Sequence, residues 1–175
     1  RMGLKPGQTV TVEALLYGMF LNSGNDAANG VAVAISGSVE KFAELMNERA
    51  RELGMTGTHF VTPSGLDKDE HYTTAEDMMK LTQEAIKNET LVNIASTKEY
   101  KCTTADKSVT FKLENTNRLI HTPVKEEPTE DGKTPSAKPI SYEYSAATGF
   151  KTGSTSRARG CVVATAKKDG RTLIA

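Results

Sequence analysis

Residues 12–36, VEALLYGMFLNSGNDAANGVAVAIS, are the stretch that decides the fold. The segment from Glu13 to Leu21 is apolar on nearly every side, which is typical of a buried helix, and Thr11 can cap its start. Small residues fill the segment after Asp26 and predict a second helix that approaches its neighbours closely. The turn at residues 22–25 is polar, and polar groups held between buried helices are costly unless they have partners. This turn is therefore the first candidate for a functional site.

Length and composition limit the class of protein. The chain has 175 residues, enough for one domain, and its 22 basic and 22 acidic side chains give a net charge of zero. It contains no Trp, and aromatic residues make up only 6% of it, so a nucleic-acid partner is not expected. No apolar run approaches the roughly 20 residues that a membrane span needs. Cys102 and Cys161 are far apart in sequence and are expected to be buried free thiols.

Apolar periodicity predicts further helices after the opening pair. An amphipathic stripe predicts a helix between Ser38, which would be its N-cap, and Gly54. The capping box Thr73–Glu76 predicts a fourth helix whose apolar residues, Ala75 among them, face inward. A short helical piece is expected near residues 91–95. The first half of the chain is thus expected to form a helical lobe.

Alternating patterns predict strands in the second half. The predicted strands are residues 99–104, 108–113, 150–152, 161–166 and 171–175, and Asp169–Gly170 is a strong signal for a two-residue hairpin turn. The predicted fold class is α+β, a helical lobe plus an antiparallel sheet, with the sheet incomplete in this chain. Residues 121–141 contain four of the six prolines and an acidic run, and we expect them to form a polar loop insertion.

A second polar motif lies on a predicted strand, at Lys151-Thr152-Gly153. The lysine supplies positive charge, the threonine a hydroxyl, and the glycine lets a ligand lie close to the strand backbone. Alone, this triplet is equally well explained as a strand edge protected by a lysine. Its pairing with Ser23-Gly24-Asn25 upstream changes that interpretation, because this pair of motifs in this order is typical of penicillin-binding proteins and β-lactamases.

The chain closely resembles the low-molecular-mass penicillin-binding proteins, which are serine-type D-alanyl-D-alanine carboxypeptidases. The matching stretches are LLYGMFLNSGNDAANGVA, GSVEKFAELMNERARELGMTGTHFVTPSGL, HYTTAEDMMKL, NTNRLI and GFKTGSTS, so the resemblance covers most of the chain outside 121–141. It implies a β-lactamase/transpeptidase-like fold, with residues 1–175 forming a partial penicillin-binding (carboxypeptidase) domain.

The resemblance also implies a reaction and a set of catalytic residues. A serine would attack the D-Ala-D-Ala bond of a peptidoglycan stem peptide, and water would then hydrolyse the acyl-enzyme. Ser23 would relay a proton between a catalytic lysine and the leaving amine. Asn25 would hold that lysine and hydrogen-bond the substrate amide, and Lys151 would supply positive potential. The family resemblance implies no cofactor, and the spacing of the three histidines matches no metal motif.

The same resemblance assigns substrate binding to the residues beside Lys151. Thr152 would bind the terminal carboxylate of the stem peptide or of a β-lactam, and Gly153 would let the ligand lie against the strand. The backbone N–H of Ser154 would form half of an oxyanion hole.

The nucleophile motif of the family, Ser-x-x-Lys, is the main departure. It should lie well upstream of Ser23, and residues 1–22 do not contain it. The one formal match, Ser38–Lys41, is better explained as an N-cap and a solvated charge. We therefore expect a missing N-terminal segment to supply the nucleophile, and this chain alone to be inactive.

Two alternative functions stay open at this point. One is a non-catalytic module that binds stem peptides or β-lactams. The other is a class A-like β-lactamase, which the Ser-Gly-Asn form of the first motif and the lack of a Glu-x-x-Leu-Asn segment disfavour. In each case the parent protein is expected in the cell envelope, outside the cytoplasmic membrane, where peptidoglycan lies.

Overall fold

The computed structural model describes residues 1–122 and 141–175, so the predicted loop insertion lies almost wholly outside the described residues. The helices are α1 (Val12–Leu21), α2 (Asn25–Ser36), α3 (Val39–Glu52), α4 (Ala75–Ala85) and α5 (Glu89–Ser96). The strands are β1 (Glu99–Thr103), β2 (Thr110–Glu114), β3 (Ala147–Thr155), β4 (Arg159–Lys168) and β5 (Arg171–Ile174). Strands β1 and β2 form one antiparallel sheet, and β3, β4 and β5 form another in that order, which confirms the α+β prediction.

Side-chain caps fix where the helices begin. The Thr11 hydroxyl accepts from the Ala14 N–H at 3.1 Å, and the Ser38 hydroxyl accepts from the Lys41 N–H at 3.1 Å, as the sequence predicts. The fourth helix begins one residue later than predicted, because Thr74 rather than Thr73 is its N-cap.

The inward face of α4 is also different from the prediction. Ala75 is exposed, whereas Asp77 and Thr82 are the buried residues of this helix. The other residues of the predicted stripe, Met78, Met79, Ala85 and Ile86, are half-buried. The Asp77 carboxylate accepts hydrogen bonds from Gly57 N–H and the Thr58 hydroxyl, both at 2.8 Å. A buried carboxylate with such donors is stable inside, so polar pairing orients α4 together with its apolar contacts.

The core surrounds α1. Its most buried large side chains, Leu21 and Leu113, belong to a cluster that also includes Met2, Leu15, Val31, Ile94 and Phe111. Phe20 of α1 packs edge-to-face on Phe150 of β3 with ring centroids 5.7 Å apart. Helix α5 lies equally close to β3, since a Cβ at Gly149 would be only 3.0 Å from the Cβ of Ala95. Strand β3 is therefore packed directly against the helical lobe.

The last hairpin has the geometry that its sequence predicts. Asp169 and Gly170 both have positive φ, 51° and 72°, as a two-residue type I′ turn requires.

Both cysteines are free, as expected, but only Cys102 is partly buried, and Cys161 is exposed on β4. Among residues 1–122 and 141–175, no helix has the length and apolar character that crossing a bilayer requires.

The residues on either side of 123–140 are joined directly. The Thr122 N–H donates to a Glu143 carboxylate oxygen at 3.0 Å, and the Tyr142 N–H donates to the Thr122 hydroxyl at 3.2 Å. The Tyr144 N–H donates to the Leu119 carbonyl at 3.0 Å. These bonds fix the spacing between the two described parts of the chain.

Candidate active site

The turn between α1 and α2 has a backbone that few sequences can adopt. Ser23 lies in the left-handed region with φ 49°, and the Gly24 N–H donates to the Gly18 carbonyl at 3.0 Å. A Cβ at Gly24 would lie 3.0 Å from that carbonyl oxygen and 3.1 Å from the Met2 nitrogen. A larger residue at position 24 would therefore need its neighbours to shift by a few tenths of an ångström. The turn thus holds the Ser23 backbone in a defined place between α1 and α2.

Asp26 fastens the start of the chain behind this turn. Its carboxylate accepts hydrogen bonds from the consecutive N–H groups of Met2, Gly3 and Leu4 at 2.9, 2.7 and 3.0 Å. Burial alone would raise the pKa of the Asp26 carboxyl, but the backbone N–H groups outweigh it and hold that pKa below its usual value. The carboxylate is therefore ionised at neutral pH and acts as a clamp on residues 2–4.

Lys151 reaches from β3 to the same turn. Its ammonium donates to the Ser23 hydroxyl oxygen and, at 2.6 Å, to the Thr152 carbonyl oxygen. Burial lowers the pKa of Lys151 to about 8, because the charged form loses its hydration. An amine with this pKa next to a hydroxyl can accept and return a proton near neutral pH, which is the property that general acid–base catalysis needs.

Thr152 forms a second link between β3 and the helical lobe. Its hydroxyl lies 2.7 Å from the hydroxyl of Thr116, and the Thr116 N–H donates to the carbonyl of Leu21 at 3.1 Å. Sequence reasoning missed Thr116, although its position between two asparagines in the NTN motif could have indicated it. The end of α1, the 115–117 turn and β3 therefore meet beside Ser23.

The two asparagines that flank Thr116 build the turn itself. The Asn115 side-chain amide donates to the carbonyls of Ala95 and Thr97 at 2.9 and 2.8 Å. The Asn117 side-chain oxygen accepts from the Leu119 N–H at 3.1 Å. Both asparagines are buried, so they orient Thr116 rather than face a ligand.

The remaining predicted site residues lie on β3 or at the start of α2. Gly153 and Ser154 are exposed on the outer half of β3, where a ligand can reach the strand backbone. Asn25 begins α2, two residues after Ser23, and is half-buried. Its side chain has no hydrogen-bond partner among the described residues. The direct approach of Asn25 to Lys151 stays a prediction. Ser38 caps α3 and Lys41 is exposed, so these two do not form a nucleophilic pair.

Comparisons with known proteins agree with this geometry. A family model described as D-alanyl-D-alanine carboxypeptidase matches residues 1–140. The chain is 38% identical over 173 residues to the D-alanyl-D-alanine carboxypeptidase DacF of Bacillus subtilis, an alignment that covers 98% of this chain and 39% of the relative. It is 34% identical over 178 residues to the D-alanyl-D-alanine carboxypeptidase of Streptomyces sp. strain K15, covering 96% of this chain and 54% of that protein. The chain therefore spans about two fifths to one half of the length of these curated relatives.

Solved structures share the fold. The crystal structure of the Streptomyces K15 DD-transpeptidase superposes on 99% of this chain and 62% of its own with a TM-score of 0.81 and 32% identity. A penicillin-binding protein homologue from Mycobacterium tuberculosis superposes on 98% of this chain and 57% of its own with a TM-score of 0.78 and 32% identity. The helical lobe and antiparallel sheets described above are those of the DD-transpeptidase fold.

Proposed function

Because the chain belongs to the D-alanyl-D-alanine carboxypeptidase family, we propose that the protein removes the terminal D-Ala from peptidoglycan stem peptides that end in D-Ala-D-Ala. The observation that supports this most directly is the hydrogen bond from Lys151 to Ser23, which joins two motifs 128 positions apart. The same site would take β-lactams. Since the substrate is part of the cell wall, the protein would act in the cell envelope, outside the cytoplasmic membrane.

In the proposed reaction, a serine nucleophile forms an ester with the penultimate D-Ala and releases the terminal one, and water then hydrolyses that ester. The Ser23 hydroxyl passes a proton to the leaving amine, and Lys151, which contacts that hydroxyl, replenishes it. Asn25 holds the substrate amide and the lysine of the nucleophile motif. The positive charge of Lys151 favours the anionic end of the substrate.

Strand β3 supplies the substrate-binding groups in this proposal. Among the described residues β3 pairs with β4 alone, so its other edge is free to bind an extended peptide through backbone hydrogen bonds. The Thr152 hydroxyl binds the terminal carboxylate, and Gly153 leaves room for the peptide. The Ser154 N–H donates to the oxyanion of the tetrahedral intermediate, a contact worth about 2.7–4 kcal/mol in the transition state.

We propose that the nucleophile lies on a Ser-x-x-Lys segment outside these 175 residues. Their single match to that motif, Ser38–Lys41, is a helix cap followed by an exposed lysine. Residues 121–141 would then be an insertion in the penicillin-binding domain.

The test uses a protein that contains these residues together with a Ser-x-x-Lys segment. Release of D-Ala from a diacetyl-Lys-D-Ala-D-Ala peptide should fall by at least about a hundredfold in the Ser23→Ala variant, since general acid–base groups contribute roughly 10²–10⁴-fold. Ser38→Ala should leave the rate unchanged. A protein that binds the peptide but releases no D-Ala would instead be a non-catalytic binding module.

A further inference from the structure

The segment from Thr62 to Glu70, called here the 62–70 segment, connects the helical lobe to the far end of β3. The backbone N–H of Arg157, in the turn after β3, donates to the Asp67 carboxylate at 3.2 Å. The guanidinium of the same residue donates to Asp69 at 2.8 Å. These contacts join residues 90 and 88 positions apart, so they are tertiary and not local.

One end of the 62–70 segment is fastened to α3, and its two ends are fastened to each other. Asn47 of α3 exchanges two hydrogen bonds of 2.7 Å with the backbone of Phe60. The imidazole Nδ1 of His71 accepts from the Val61 N–H at 2.9 Å, and His59 and Tyr72 pair as a short antiparallel bridge. The segment is therefore held at a fixed distance from α3, and its contacts with Arg157 transmit that position to β3.

Asp67 differs from the residues around it. It is half-buried, whereas residues 65, 66 and 68–70 are exposed. Its carboxylate accepts from the Arg157 N–H, and the nearby Thr155 hydroxyl is the main reason that the pKa of Asp67 lies below its usual value. The Thr155 hydroxyl itself accepts from the Ala158 N–H at 2.9 Å, within the turn that ends β3. Asp69 is a contrast, because its side chain is 88% exposed and contacts only the Arg157 guanidinium.

The outer half of β3 needs such support. The inner half is fixed by Phe20, Ala95 and Thr116, but Gly153 and Ser154 are exposed. Beyond them the strand enters a turn at residues 156–158. A strand end that is paired on one side only frays easily, and a substrate that docks on it loses its preorganised partner.

We propose that Asp67 is a positioning residue for substrate binding: by accepting a hydrogen bond from the Arg157 N–H in the turn that ends β3, it fixes the outer half of β3 so that Gly153 and Ser154 can receive the end of the peptide. The inference rests on the proposed function, because the ligand is a D-Ala-D-Ala peptide. Asp67 touches neither the peptide nor Lys151 in this role, and it acts through the Thr155–Arg157 turn.

The experiment measures binding of N-acetyl-D-alanyl-D-alanine to the 175-residue chain by NMR, following the amide signals of β3. Asp67→Asn should weaken binding about five- to tenfold, because a neutral amide oxygen is a weaker acceptor for the Arg157 N–H than a carboxylate is. Asp69→Asn is the matched control and should bind like the wild type, because an exposed ion pair contributes little. Thermal unfolding of each variant separates weaker binding from unfolding.

A second pair of variants tests the same link from the β3 side. Thr155→Val removes the hydroxyl that accepts from the Ala158 N–H and should weaken binding as Asp67→Asn does, because both substitutions loosen the turn that ends β3. Thr155→Ser keeps the hydroxyl and should bind normally. Amide hydrogen exchange at Gly153 and Ser154 in the free chain should be faster in Asp67→Asn and Thr155→Val only.

The outcomes separate the inference from the proposed function. If the wild type binds and Asp67→Asn binds equally well with unchanged exchange, Asp67 is not a positioning residue. An equal loss of binding in Asp69→Asn would also overturn the inference, since the effect would then come from the negative charge of the 62–70 segment and not from the contact of Asp67. If the wild type does not bind the dipeptide, the assignment of substrate binding to β3 of this chain is wrong, and the exchange rates alone decide whether Asp67 orders β3.

Discussion

At the scale of single residues, the contact between Lys151 and Ser23 couples folding to pH. Lys151 is buried without a carboxylate partner among the described residues, and its pKa falls to about 8 from an ordinary value of 10.5. The unfolded chain therefore binds more protons than the folded chain between these two values. By linkage, this residue makes the folded state more stable as pH rises through that window.

The first prediction compares the wild type with Lys151→Met in urea unfolding at pH 7.5 and pH 10. The free energy of unfolding of the wild type should rise relative to that of the variant, because only the wild type releases this proton on folding. Tyr and Cys groups titrate in both proteins and cancel in the difference. Parallel pH profiles for the two proteins would mean that Lys151 keeps its ordinary pKa.

Asp26 gives a second prediction, in which stability again rises with pH but in the acid range. Its three N–H partners stabilise the ionised form, so Asp26→Asn should lower the free energy of unfolding by about 2 kcal/mol at pH 7. Because the pKa of Asp26 in the folded chain lies below its ordinary value of 3.8, this stabilisation is present above that value and is lost as pH falls through the folded pKa. Glu40→Gln, at an exposed position in the first turn of α3, is the control and should change stability by less than about 1 kcal/mol. Equal effects of the two substitutions in urea unfolding would contradict the clamp.

At the scale of elements, α4 is docked through a polar residue. Asp77 is 2% exposed and accepts from Gly57, Thr58 and Lys80. Burial opposes its ionisation, but the Thr58 hydroxyl, Lys80 and the Gly57 N–H together hold the pKa of Asp77 below its usual value. The helix is thereby fixed to the 54–58 turn that follows α3.

The third prediction follows from this docking. Asp77→Ala should lower the free energy of unfolding by about 3 kcal/mol or more, since it leaves buried donors and the Lys80 ammonium without their partner. Glu76→Ala removes a neighbouring carboxylate that is 83% exposed and should cost less than about 0.5 kcal/mol. Chemical denaturation of both variants measures the difference, and a small loss for Asp77→Ala would mean that apolar contacts of α4 suffice.

The helix caps, one turn and α4 show which features the sequence can predict. Local chemistry was enough for the caps at Thr11 and Ser38 and for the Asp169–Gly170 turn, because each depends on neighbours within a few residues. The burial of Asp77 was not predictable, since its partners lie 19 and 20 positions away.

The candidate site likewise contains residues that were predicted from the sequence and residues that were missed. The resemblance named the Ser23 and Lys151 motifs, and the structure joins these two residues. Thr116 and Asp67 were missed because each acts through a hydroxyl or backbone group far along the chain. Such contacts leave no periodic pattern in the sequence, so only the three-dimensional arrangement identifies them.

At the scale of the whole molecule, the 175 residues contain Ser23, Lys151 and the edge strand β3, but no Ser-x-x-Lys motif lies upstream of Ser23 within them. Catalysis by acyl transfer needs a serine made nucleophilic by a neighbouring base. Ser23 is half-buried and, in the proposed reaction, lies on the leaving-group side of the scissile bond.

The fourth prediction is that this chain alone forms no stoichiometric adduct with a penicillin. Mass spectrometry of the intact chain after incubation should show at most a trace of acylation, and addition of a Ser-x-x-Lys segment, in the same or a second polypeptide, should restore it. A full adduct on the 175-residue chain would contradict the prediction, and peptide mapping would identify the serine responsible.

The bonds that join Thr122 to Tyr142 and Glu143 have a practical consequence for protein engineering. Ser23 precedes residues 123–140 and Lys151 follows them, so a cut within 123–140 divides the chain into two fragments that each hold half of the proton-transfer pair. The contacts across such a cut are the bonds at residues 122 and 142–143 and the packing of β3 on α1 and α5. When the fragments are fused to two interacting proteins, association of those proteins would restore these contacts and bring Ser23 back to Lys151, which would constitute a split reporter.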